Sequence, residues 1–217
     1  MRKSKEDIVF ERLLNDEGDN LDIIYEFISA LRKDYPLQAV SDLVNSPNRK
    51  AHSAGLLVIE KLSSEALPLK ELIINFGKNG TPYEKFVFVE FCISTKIRDC
   101  RLIEIFTELL NDFDVIIRAK AIIWTILANK DDLANMEKHI CASAKIAEEC
   151  DDKIGKIFQR RKERAFRIAG EIRQYNASED FESFIDGLKD LYPREDEVTF
   201  EYMIVYKYKI VKGIFSS

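Results

Sequence analysis

Glycine and proline are scarce in this chain, eight and five among 217 residues. Folds built of strands and tight turns use both heavily, glycine where φ must be positive and proline to preset a turn. A strand-and-turn architecture is therefore the first to be excluded. Histidine is scarcer still: His52 and His139 are the only two. A histidine-rich metal site or a histidine-based triad is not expected, and acid–base chemistry would have to rest on carboxylates. The four cysteines, Cys92, Cys100, Cys141 and Cys150, include no CxxC pair, which points to separate thiols in a reducing compartment. Walker, GxSxG and HExxH motifs are missing. No apolar run approaches the ~18 residues of a membrane span. The N-terminal MRKSKEDIVFERLLND turns charged again after three apolar residues, so it does not read as a signal peptide. These absences predict a cytoplasmic protein with no cofactor and no metal.

Positive charge is also in deficit. Lys and Arg number 33 against 38 Asp and Glu, giving a net charge of −5 and a pI near 5.3. Residues 151–217 hold 13 of each sign, so the whole deficit lies in the first 150 residues. Binding to nucleic acid or to an anionic membrane is driven by cations. Neither is an expected partner, whereas a basic protein is.

What the chain does have is helix signal. Apolar residues make up 46% and charged residues 33%, the balance of a folded chain rather than a disordered one. A period of about 3.6 predicts helices over 5–15, 20–33, 36–45, 47–62, 68–77, 82–95, 99–111, 114–129, 131–148 and 151–175. Asn79-Gly80 and Asn111-Asp112 supply turn chemistry where two hairpins reverse. Short connections suit antiparallel neighbours, so one helical domain is expected over 1–217. Its capping helices fall at 1–35 and 176–217, and helix pairs fill 36–175. Residues 198–212 carry two signals. Phe200, Tyr202, Ile204, Tyr206, Tyr208 and Ile210 alternate as in a strand, whereas Pro193 with acids before and lysines with Gly213 after mark a capped helix.

Three helix starts recur 33 to 35 residues apart: Ser46-Pro47, Thr81-Pro82 and Asp114-Val115. Each begins on a residue able to cap a helix, and two place proline in the first helical position, where no N–H is needed. Four residues after each cap stands a cation, Lys50, Lys85 or Arg118. Eight and twelve after it stand Ala54, Val89 and Ile122, then Val58, Ile93 and Ile126. At about 100° per residue these share a buried stripe with Ala51, Phe86 and Ala119, and the cation lies at its margin. The cation can lay its stem on the core and reach a turn carboxylate such as Asp112, or it can join a ladder of charge open to an acidic partner. A helix repeated at this period is the mark of a helical solenoid.

The segment from Asp112 to Ala121, DFDVIIRAKA, resembles the second helix of a HEAT repeat, with Asp in the turn followed by Val, Arg and spaced Ala. Asn48 to Gly55 looks like a weaker copy, and Tyr83 to Ile93 departs from it, with Phe86, Phe88 and Phe91 in place of alanine. The resemblance covers residues 36–130. It implies an all-α fold, a right-handed α-α superhelix of antiparallel helix pairs around a concave surface, and it implies no particular activity.

Candidate binding residues are Lys50, Lys85 and Arg118, Trp124 on the 114–129 helix, and Arg160, Arg164 and Arg167 in the charge-dense run that begins at Gln159. Charge along a helix is first a solvated face and otherwise a patch for phosphate or acid. Two functions follow. One is a non-enzymatic protein-interaction module of the adaptor, assembly-factor or bacterial immunity type. The other is a HEAT-like DNA-binding protein or alkylpurine DNA glycosylase, with Trp124 and either Asp112 or Asp114 in its site.

Overall fold

Apolar residues spaced three and four apart put the described chain into helix. The computed structural model describes residues 3–15, 17–97, 99–146 and 155–191, with the side chains of 143–146 and 155–162 left aside. Its elements are α1 (Lys5–Asn15), α2 (Leu21–Leu31), α3 (Gln38–Val44), α4 (Arg49–Leu62), a 3₁₀ segment (Ser63–Leu69), α5 (Lys70–Asn79), α6 (Pro82–Thr95), α7 (Cys100–Leu109), α8 (Val115–Leu127), α9 (Lys130–Ile146), α10 (Gly155–Ser178) and α11 (Phe181–Leu191). The described chain is thus all-helical and holds no strand. No helix among the described residues is long and apolar enough to cross a membrane. The two-signal segment 198–212 lies outside the described residues.

Two of the three repeated starts form where the caps predict. Thr81 and Glu84 make a reciprocal capping box at α6, with Pro82 in the first turn. The Asp114 carboxylate accepts from the amides of Ile116 and Ile117 at α8. The third differs: α4 is capped by Asn48, which accepts from Lys50 N, and not by Ser46. Ser46 Oγ instead accepts from Asn48 N at 3.2 Å, so Ser46 and Pro47 form a turn ahead of the helix. Lys50 accordingly sits two residues inside its cap, not four. The helix expected from residue 68 begins at Lys70, because Ser63 breaks α4 at φ 51° and Pro68, which has no N–H to donate, lies in the 3₁₀ segment that follows.

The chain divides into two compact units, Met1–Ile97 and Arg98–Ser217. In the first, α1 packs on α2, α3 on α4 and α5 on α6, and α4 lies against both α2 and α6. In the second, α7 packs on α8 and on α9, and α10 packs on α9 and α11. The stripe of α4 is buried as its spacing predicts, with Ala51, Ala54 and Val58 all at 1% exposure or less. On α6 the buried set is instead Val87, Phe88, Val89, Phe91 and Cys92, while Phe86 and Ile93 are only half-buried.

Close packing of α3 and α4 depends on Gly55. A Cβ there would stand 2.7 Å from Val44 Cγ2 and 2.9 Å from Val44 N. The second neighbour is backbone and yields little. Gly55→Ala is therefore expected to cost about 1–3 kcal/mol by overpacking, despite the gain in helix propensity. A urea titration followed by circular dichroism checks this, and an unchanged or raised midpoint would contradict the α3–α4 spacing.

Candidate functional site

Each candidate cation with a described side chain has its own surroundings. Lys50 pairs with Asp19 at 2.9 Å on the surface. Lys85 is half-buried in the first turn of α6. Arg118 folds back onto its own turn, where its guanidinium donates to the carbonyls of Asp112 at 2.7 Å and Phe113 at 3.0 Å. Trp124 is 8% exposed and its indole lies flat on Phe106, with centroids 3.9 Å apart and planes 4° from parallel. It packs the core of the second unit and offers little surface to a ligand. Along α10, Arg164 is half-buried and Arg167 exposed. Arg160 lies on the same helix, with its side chain outside the described set. Farther along, Arg173 is held by Glu137 of α9 at 2.6 Å.

His52 is a bridging residue. Its Nδ1 lies 2.6 Å from the Val44 carbonyl, and Nε2 lies 3.7 Å from the Glu84 carboxylate. The ring thus ties α4 to the end of α3 and to the capping box of α6.

A groove of about 710 Å³ between α7 and α9 is lined by Asp99, Cys100, Glu104, Asp132, Asn135 and His139. Two of its carboxylates are committed to their own surroundings. Asp99 caps α7 and forms an ion pair with Arg101 at 2.6 Å. Asp132 accepts from Asn129 Nδ2 at 2.6 Å. Among the described residues no three His, Cys, Asp or Glu side chains converge as a metal would require. The groove has the size of a ligand pocket.

A different surface stands out in the first unit. Tyr25 on α2 is 52% exposed and Tyr83 on α6 is 39% exposed, and α4, which lies against both helices, carries Glu60 and Lys61. The Tyr83 hydroxyl donates to Glu60 at 3.5 Å, and Glu60 holds Lys61 at 3.1 Å. Burial, and next the Glu60 charge, raise the Tyr83 phenol above its ordinary pKa and keep it a neutral donor. The hydrogen bond from Lys61 to Glu60 raises the ammonium, with a smaller electrostatic contribution from Tyr25. The ring of Phe86 stacks on Tyr83 at 6.1 Å. The result is a face with aromatic anchors at both edges and a neutralised ion pair between them. Sequence reasoning passed over Tyr25 and Tyr83 because apolar patterning counts an aromatic residue as core. Their signal was position: each lies beside the stripe of its helix.

In comparisons with known proteins, no family model matches the chain, and neither a curated protein nor a solved structure does.

Proposed function

We propose that this chain is a non-enzymatic protein-interaction module of the adaptor or immunity type. It is built of stacked antiparallel helix pairs in the HEAT-like, right-handed manner and acts in the cytoplasm on a basic protein partner. One observation carries the reading: α2, α4 and α6, the second helices of three successive pairs, adjoin and present Tyr25 and Tyr83 about the Glu60–Lys61 pair. Tyrosine brings large contact area with few rotatable bonds, which makes it a favoured anchor at interfaces. The acidic excess of the first 150 residues steers a basic partner toward the chain. The glycosylase alternative needs an aromatic platform and a catalytic Asp. Burial of Trp124 against Phe106, and the use of Asp112 and Asp114 as acceptors for turn and helix amides, weigh against it.

The test is capture from native-cell extract at low salt, comparing the wild type with a Tyr25→Ser/Tyr83→Ser variant of unchanged circular dichroism. One discrete, basic protein is expected on the wild type, eluting as salt rises. Its retention by the variant should fall about tenfold or more, the scale of losing a hot-spot side chain. Equal retention by both proteins would remove this face from the proposal. A shifted band with duplex DNA at low salt would favour the alternative.

A further inference from the structure

The turn between α7 and α8 carries Phe113, at 85% the most exposed large apolar side chain among the described residues. Val115 and Ile116, in the first turn of α8, are 44% and 47% exposed. Clustered apolar groups in water mark an interaction site more often than scattered ones do.

The turn that presents them is firmly held. Asp112 Oδ1 accepts from Asp114 N at 3.0 Å, and Asp114 Oδ1 accepts from Ile116 N at 2.8 Å. Arg118 grips the carbonyls of Asp112 and Phe113 from behind. With the backbone of the turn held in this way, docking on it costs little loop-ordering entropy, which is the advantage of a preorganised site. Charge says what would cover it. From Leu102 to Ile117 the chain carries Glu104, Glu108, Asp112 and Asp114, and neither Lys nor Arg. With the next residue, Arg118, counted in, the stretch 102–118 holds four acids and one cation and stays net acidic.

We propose that this tip is a docking knob for a basic amphipathic segment of a partner protein. Apolar side chains of the segment close over Phe113, Val115 and Ile116, while its Lys or Arg heads meet Asp114 and Glu108. The site lies in the second unit, rests on its own residues, and stands or falls independently of the tyrosine face.

The probe is a labelled helical peptide made of leucine and lysine, with a leucine stripe and lysine flanks, titrated with the full chain and read by fluorescence anisotropy. A peptide with glutamate for every lysine is the control. Phe113→Ser removes the anchor from the surface, and Asp114→Asn removes charge while keeping a capping oxygen. The lysine peptide is expected to bind wild type at least about tenfold more tightly than the glutamate peptide or than Phe113→Ser, and Asp114→Asn should weaken it by a smaller factor. Equal binding of the two peptides, or unchanged affinity of Phe113→Ser at unchanged circular dichroism, would overturn the proposal. So would a dimer of the chain dissolved by Phe113→Ser, which gives the tip to a second copy. Adsorption to neutral-lipid vesicles that Phe113→Ser abolishes would also overturn it, by giving the tip to a bilayer.

Discussion

Phe106→Ala is expected to destabilise the second unit by about 3–5 kcal/mol, the cost of removing a fully buried phenyl ring and leaving a cavity. Phe106 is 0% exposed, and one whole face of its ring is covered by Trp124 at 3.9 Å. Its neighbours Leu102 and Ile105 on the same helix are at 1% exposure or less, so little around it is placed to collapse inward. Since domains are stable by only about 5–15 kcal/mol, the loss takes a large share of the reserve. The readout is built in, because Trp124 is the chain's only tryptophan. Its emission should shift to the red before unfolding begins, and the urea midpoint should fall. A loss under about 1 kcal/mol, the scale of a surface change, would contradict the stacked pair.

The first unit has a counterpart of similar size. Phe27 is also 0% exposed and forms a three-ring cluster with Phe10, stacked at 5.9 Å, and Tyr35, edge-on at 5.8 Å, whose own rings are 6.3 Å apart. The cluster ties α1 to α2 and to the turn after α2, and the Tyr35 hydroxyl reaches Asp7 at 3.2 Å. Hydrogen bonds from Ser4, with a smaller one from Tyr35, hold the Asp7 carboxyl below its ordinary pKa and keep it an acceptor near neutrality. Phe27→Ala should therefore cost about 3–5 kcal/mol, with loss of the aromatic contacts added to the cavity. Thermal unfolding followed by circular dichroism measures it. A change under about 1 kcal/mol would mean that the trio is not the anchor of α1.

How much of this was legible depends on the physics each feature rests on. Helix identity was legible because it is local: the Thr81 capping box and the Asp114 cap are set by residues three apart. The start of α4 was misread because two cap-competent residues, Ser46 and Asn48, stand within one turn, and only the folded backbone selects Asn48. The 3₁₀ segment was hidden in the same way, since Pro68 is compatible with a first helical turn as well as with a tighter one. The buried face of α6 was misjudged because nearly every residue from Phe86 to Ile93 is apolar or aromatic, and such a run has no phase of its own. Side-chain roles depend on partners that lie elsewhere in the fold. Lys50, Arg118 and Trp124 were chosen by type, but the roles seen for them (ion pair, turn clamp and core stack) depend on Asp19, on two backbone carbonyls and on Phe106. Tyr25 and Tyr83 carry only the weak signal of lying beside a stripe, and the exposure that singles them out, like that of Phe113, is a tertiary property.

The central claim, that the α2/α4/α6 face is where this chain meets a protein, is tested most directly by hydroxyl-radical footprinting of the captured complex. Tyr25 and Tyr83 should be oxidised readily in the free chain and protected several-fold when the partner is bound, at the scale of a buried interface core. If both tyrosines react equally fast with and without the partner, the face is not the interface and the account fails.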